Sequence, residues 1–222
     1  MSNAAATDMK AKPRDYWWTV LAVDPIAVPL AQRLADRRAM TADQATMVSV
    51  LLAAPIGLAY ASGSRLGLIA GAVLFYLAFL FDCVDGKVAR ALGTASSRGV
   101  MLDELADAVR RVSASLGLAV YLWRFGTGGS FWLAIAYVVI AFFFADISGE
   151  TRGDPQTSLG GRWSQALARR RLHPTPGTPD IGAIAFIFGP VTGFVVPSLA
   201  VGVAMLTAGT LLVLRRRLRK TS

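Results

Sequence analysis

Residues 66–81, 131–147 and 181–214 form three long stretches with almost no charge, and this limits what the chain can fold into more than any other feature. A hydrocarbon core of about 30 Å is crossed by about 20 consecutive apolar residues in a helix. A soluble core would interrupt such runs sooner. The 222-residue chain is 54% hydrophobic with a mean hydropathy of +0.49, a balance typical of a bundle of membrane helices. The expected fold class is therefore all-α, a polytopic membrane protein with a single domain.

The pattern predicts six transmembrane helices near residues 45–62, 66–90, 100–123, 130–148, 180–196 and 198–215. Upstream, residues 17–38 combine Trp17 and Trp18 with an apolar run broken by Pro25 and Pro29 and with a basic end. That fits a juxtamembrane amphipathic helix lying in the interface. Residues 1–16 are expected to form a disordered polar N-terminal tail, 17–217 the membrane-embedded domain and 218–222 a basic C-terminal tail. The run 181–214 is too long for one crossing, so a hairpin near Gly189, Pro190 and Pro197 is expected to divide it.

Charge supports this count. The formal net charge is +9, with 23 Lys and Arg residues, but these lie between the apolar spans, and no nucleic-acid partner is expected. With six crossings, 21 of the 23 fall on one side and only Arg65 and Arg124 on the other. The positive-inside tendency then puts both termini in the cytoplasm, and so compact a chain is expected in a bacterial cytoplasmic membrane. The single cysteine, Cys83, excludes an internal disulfide and a cysteine-based zinc site. The polar start has no short apolar core before a small-residue cleavage site, so no secretory signal is expected.

Between the second and third spans lie Phe-Asp-Cys-Val-Asp-Gly-Lys-Val-Ala-Arg (81–90) and, eight residues on, Gly-Val-Met-Leu-Asp-Glu-Leu-Ala-Asp (99–107). At about 100° per residue, Asp82, Asp85, Gly86 and Ala89 share one face of the first helix, while Gly99, Asp103 and Asp107 share a stripe on the second. A short connection makes the two helices antiparallel neighbours, so four carboxylates converge. An acidic side chain in a membrane segment costs roughly 2.5–3.5 kcal/mol, and four also repel one another. Two divalent cations would neutralise them, and all-oxygen ligation points to Mg²⁺ or Mn²⁺. A two-metal clamp suits displacement at phosphorus, where attacking and leaving oxygens both need stabilisation. Gly86 and Gly99 clear space beside the acids, and Arg90 adds a forked donor for phosphate.

The pattern Asp82-x2-Asp85-Gly86-x2-Ala89-Arg90-x8-Gly99-x3-Asp103-x3-Asp107 resembles, without gap or substitution, the signature of the CDP-alcohol phosphotransferases. The resemblance implies a transferase of phospholipid synthesis, moving a phosphatidyl group from a CDP-linked donor, expected to be CDP-diacylglycerol, to a small alcohol or polyol with release of CMP. It implies that Asp82, Asp85, Asp103 and Asp107 bind two Mg²⁺ or Mn²⁺ ions and that Asp107 takes the proton of the attacking hydroxyl. Gly86, Ala89, Arg90, Ser96 and Gly99 are implied at the CDP part of the donor. The stretch Thr41-Ala42-Asp43-Gln44-Ala45-Thr46 resembles the family's element lining the cytidine pocket, with Ala42 in place of the usual proline, and this carries Asp43 and Thr46 to the donor site. A homodimer is likewise implied.

Other readings compete. Asp82 and Asp85 alone fit a structural salt bridge with Arg90, Arg110 or Arg111, but the whole pattern does not. Arg169, Arg170 and Arg171 fit either an acceptor phosphate or anionic headgroups. His173 is assigned no role, Asp180 fits a helix cap better than an acceptor contact, Lys87 and Glu104 read as surface or pairing residues, and Cys83 as a small filler. Intramembrane carboxylates also mark cation or proton transporters, yet that class needs neither Gly86, Ala89, Arg90 and Gly99 at these spacings nor acids clustered at neighbouring helix ends. A prenyl-transferring enzyme would carry a second Asp-rich motif. A structural scaffold leaves the cost of the acids unexplained.

Overall fold

The computed structural model describes residues 12–148 and 162–221, and the regular elements among them are helices. A π-helical turn, Thr19–Val23, leads into α1 (Asp24–Asp36), with Pro25 in its first turn, where no amide bond is lost. A capping box opens α2 (Ala42–Ala53): Gln44 N donates to Thr41 Oγ1 at 3.2 Å, and Thr41 N to Gln44 Oε1 at 2.9 Å. Around Pro55 the chain continues into α3 (Ile56–Ala61). The longest elements follow, α4 (Arg65–Leu92) and α5 (Ser97–Phe125). Then come α6 (Phe131–Ser148), the short α7 (Arg162–Arg169), a rod made of α8 (Thr178–Ala183), a π-helical turn (Ile184–Phe188) and α9 (Gly189–Thr192), and finally α10 (Val195–Thr221).

Among the described residues, four segments are long and apolar enough to cross a membrane: Ala42–Ala61, Arg65–Leu92, Phe131–Ser148 and Val195–Arg219. The other two expected spans are helical but different in kind. Helix α5 is as long as α4 and carries Asp103, Asp107, Arg110 and Arg111, whereas Thr178–Thr192 is apolar and short. The expected hairpin forms at Gly193, whose φ of +86° suits a residue without a side chain, so the break falls between Pro190 and Pro197. Pro190 and Pro197 instead occupy first helical turns. Residues 12–16, expected in the tail, are packed against the chain: Asp15 bridges Leu172. Residues 1–11, 149–161 and 222 lie outside the described part.

Helices α2 and α3 pack on α4 and α5, α6 packs on α5 and α10, and α1 lies along α4. The core holds Ile56, Tyr60, Phe75, Leu118, Leu122, Tyr137, Phe144, Phe186, Leu199 and Leu206. Two helices touch through backbone where α3 meets α5: a Cβ on Gly117 would lie 2.5 Å from Gly57 Cα. Small residues at such crossings let membrane helices approach closely. The buried Tyr60 hydroxyl donates to the Phe186 carbonyl, which satisfies a phenol that would otherwise be costly inside. The outer surface stays apolar, with Leu58, Leu66, Trp123, Trp132 and Leu211 exposed on different helices and Phe194 in the turn before α10. Such a belt far exceeds the scattered apolar residues that water tolerates, and lipid solvates it.

Candidate functional site

The site lies where the C-terminal end of α4 meets the N-terminal start of α5. Gly93, left-handed at φ +66°, ends α4, and Ser96 caps α5 by accepting from Gly99 N at 3.1 Å. Residues 93–96 therefore turn the chain through a hairpin in four residues, and the two signature stretches run antiparallel. Asp82, Asp85 and Asp103 each place one carboxylate oxygen within 4.8 Å of the others. Asp82 and Asp85 are buried.

Each acid is held differently. Asp85 Oδ2 accepts from the buried Thr46 hydroxyl on α2 at 2.5 Å. Asp82 Oδ2 lies 3.3 Å from Arg110 Nη1, and Arg110 also pairs with Asp107, three residues earlier on α5. Arg111 reaches Asp107 Oδ2 at 3.8 Å. Phe79 and Phe75 stack on the buried Arg110 guanidinium, at 4.7 and 5.7 Å. Asp82 Oδ1, in contrast, is buried with no hydrogen-bond partner among the described residues. A buried carboxylate oxygen left this way is destabilising unless a cation takes it. Three convergent carboxylates, one of them bearing this orphaned oxygen, form an all-oxygen donor set for a hard divalent ion.

The acids open into a cavity of about 600 Å³, the size of a small-molecule site. All the signature residues line it, together with Asp43, Thr46 and Ser96, so the expected donor contacts come together. Beside Gly86 lies the Arg90 guanidinium: a Cβ there would sit 3.3 Å from Nη1. Arg169, Arg170 and Arg171 are not among the lining residues. Arg169 and Arg170 are exposed, and Arg171 pairs with Asp24 at 2.9 Å.

Other residues enter the site unannounced by the sequence. Phe142, Ala145 and Asp146 of α6 form part of the wall, as do Lys12, Asp15, Tyr16 and Thr19 from the N-terminal segment. Lys87 is buried and meets Asp24 at 2.8 Å. Asp180 caps its own helix, accepting from Gly177 N at 3.0 Å, and also accepts from Trp18 N at 2.6 Å. The spacing of Arg110 from Asp107 was a signal that pairing within α5 was available; for the others only distant segments meeting in space could show it.

Comparison with known proteins agrees with this geometry. The family model described as CDP-alcohol phosphatidyltransferase matches residues 39–210. No curated protein matches. Among solved structures, phosphatidylinositol phosphate synthase from Mycobacterium tuberculosis in complex with manganese and citrate is 22% identical, with a TM-score of 0.60 over 87% of this chain and 88% of that one. The same enzyme with CDP-DAG bound is 22% identical, with a TM-score of 0.61 over 88% and 92%. Its apo form gives 19% and 0.58 over 84% and 93%. At these identities the likeness is one of fold. The family model spans most of the chain and all of the acidic cluster, and the chain is a member of the CDP-alcohol phosphatidyltransferase family.

Proposed function

We propose that this enzyme transfers a phosphatidyl group from CDP-diacylglycerol to the hydroxyl of a small alcohol or polyol, releasing CMP, at the inner leaflet. The observation that carries this is the meeting of Asp82, Asp85 and Asp103 oxygens within 4.8 Å at the foot of a cavity lined by the complete family signature. Asp82, Asp85, Asp103 and Asp107 would hold two Mg²⁺ or Mn²⁺ ions, which supply charge stabilisation for the transferring phosphoryl oxygens and the departing CMP. A relative of this fold was crystallised with manganese and another crystal of it with CDP-DAG, which supports both assignments.

The remaining chemistry belongs to the chain's own residues. Asp43 and Thr46 on α2 and Gly86, Ala89, Arg90, Ser96 and Gly99 around the α4–α5 hairpin hold the CDP part of the donor, with Arg90 offering paired N–H groups to phosphate. Asp107, its oxygens oriented by Arg110 and Arg111, accepts the proton of the acceptor hydroxyl. The freed oxygen forms a bond to the phosphorus carrying the lipid alcohol as the bond from that phosphorus to the CMP oxygen breaks. Diacylglycerol tails reach the site sideways from the bilayer.

In this reading α5 and the rod Thr178–Thr192 complete six crossings, helix α1 lies at the interface, both termini face the cytoplasm, and two copies assemble as a homodimer. Gly117 against Gly57 supports a membrane position for α5, because its backbone is in contact with a segment apolar enough to span. Purified protein with Mn²⁺ and CDP-diacylglycerol is expected to release CMP when offered glycerol phosphate, serine or inositol phosphate as acceptor. Absence of CMP with every acceptor, together with cation flux in proteoliposomes, would replace the transferase by a transporter.

A further inference from the structure

The N-terminal segment 12–18 and the segment 171–180 are stitched into a double strap. Asp15 N donates to the Arg171 carbonyl at 2.8 Å and His173 N to the Asp15 carbonyl at 3.0 Å. Trp17 Nε1 donates to the His173 carbonyl at 2.8 Å, and Trp18 N to Asp180 at 2.6 Å. Gly177 admits the Tyr16 ring so closely that a Cβ would lie 2.1 Å from it. Tyr16 in turn lies 4.9 Å from the His173 ring. The strap contributes Lys12, Asp15, Tyr16, Thr178 and Pro179 to the cavity wall.

One ionic node fastens it. The buried Asp24 carboxylate on α1 meets Lys87 Nζ at 2.8 Å with one oxygen and Arg171 Nη2 at 2.9 Å with the other. Arg171 Nε also donates to the Lys12 carbonyl at 3.0 Å, so one guanidinium ties its own segment of the strap to the other and to α1. Lys87 stands on α4 directly after Gly86 and is itself a wall residue. One carboxylate thus serves two cations, and loss of its charge leaves two like charges facing each other. The Lys87 side chain is 4% exposed and that of Arg171 28%, so relief comes by Arg171 turning to water and releasing the strap.

We infer that Asp24, Lys87 and Arg171 form an ionic latch that positions the strap as a cavity wall for the second substrate, the acceptor alcohol. The choice of substrate rests on the transferase reading: the donor's contacts come from α2, α4 and α5, and the strap comes from neither these helices nor their hairpin. The three residues are positioning residues, acting through where they hold Lys12, Asp15, Tyr16, Thr178 and Pro179. Arg171 is thereby accounted for without an acceptor phosphate at its own side chain.

The chain carries its own reporter. Cys83, its only cysteine, lines the cavity one helical turn before Lys87, whose ammonium donates to the Cys83 carbonyl at 3.2 Å. In detergent-solubilised full-length protein, Asp24→Asn and Arg171→Ala should raise the rate of Cys83 modification by a water-soluble maleimide about tenfold or more, as local opening does, while Arg171→Lys, which keeps a charge for Asp24 but only one nitrogen, should fall between wild type and Arg171→Ala. Arg171→Ala removes only a partly exposed side chain, so it keeps the test valid if Asp24→Asn fails to fold. Equal labelling rates in folded Arg171→Ala and wild type would overturn the latch. For whichever of glycerol phosphate, serine or inositol phosphate gives CMP release, Arg171→Ala should raise the acceptor KM about fivefold or more, with the CDP-diacylglycerol KM within about twofold. A shift in donor KM alone would overturn the acceptor assignment. If wild-type protein releases no CMP, the transferase reading fails while the labelling comparison still decides the latch.

Discussion

Replacing Asp107 by asparagine separates chemistry from folding, and the structure sets the size of each effect. The Asp107 side chain is 33% exposed and pairs with Arg110 and, at 3.8 Å, with Arg111. Breaking a buried pair that strands its partner costs about 3–5 kcal/mol, whereas an exposed pair is worth about 0–1 kcal/mol. Arg110 keeps Asp82 at 3.3 Å and its two phenylalanine rings, and asparagine keeps one oxygen. Solvent screening at Asp107 reduces the loss further, so the stability cost should be about 1 kcal/mol, equivalent to about 2–4 °C in midpoint for a chain of this size. A general base contributes about 10²–10⁴ in rate, or about 2.7–5.4 kcal/mol of barrier. Release of CMP from CDP-diacylglycerol, followed beside thermal unfolding in the same detergent, reads both quantities. A kcat within about threefold of wild type would show that Asp107 is not the base. A midpoint lowered by more than about 10 °C would refute the ion-pair arithmetic.

Chelation by EDTA should abolish CMP release and added Mn²⁺ or Mg²⁺ restore it, and Asp82→Asn should weaken Mn²⁺ binding about tenfold or more by electron paramagnetic resonance; unchanged Mn²⁺ affinity would remove Asp82 from the ligand set. Gly117→Val should destabilise by about 1–3 kcal/mol through overpacking, since even a Cβ would lie 2.5 Å from Gly57, and an unchanged unfolding midpoint would show that α3 and α5 do not touch there. Ser96→Ala should cost about 0.5–2 kcal/mol by removing the cap on Gly99 N, and Ser96→Asp, which keeps a capping oxygen, should recover most of that stability while still weakening the phosphate-bearing donor. Recovery of both stability and donor KM in Ser96→Asp would leave Ser96 a cap only.

Much of this site was legible along the chain because helical periodicity is local. Three- and four-residue spacings place Asp82 with Asp85, and Asp103 with Asp107, on single faces whatever the helices later touch. The long apolar runs likewise announce helices, though not their ends: Gly193 breaks the last pair because it alone in that region adopts a left-handed backbone. The segment 12–16 reads as a tail by composition, since Lys12 and Asp15 gain their long-range backbone partners from residues 171–173.

By itself the sequence determined the acidic signature, its two-helix carrier and the apolar spans that demand a membrane, all of which follow from spacing and transfer free energy within one helix. Tertiary structure alone decided that Thr46 meets Asp85, that Arg110 joins Asp82 to Asp107, and that Asp24 serves Lys87 and, 147 residues away, Arg171. Those partnerships depend on how helices cross and how loops return, and a buried charge settles on whichever counter-charge the packing brings within reach, which no local periodicity encodes.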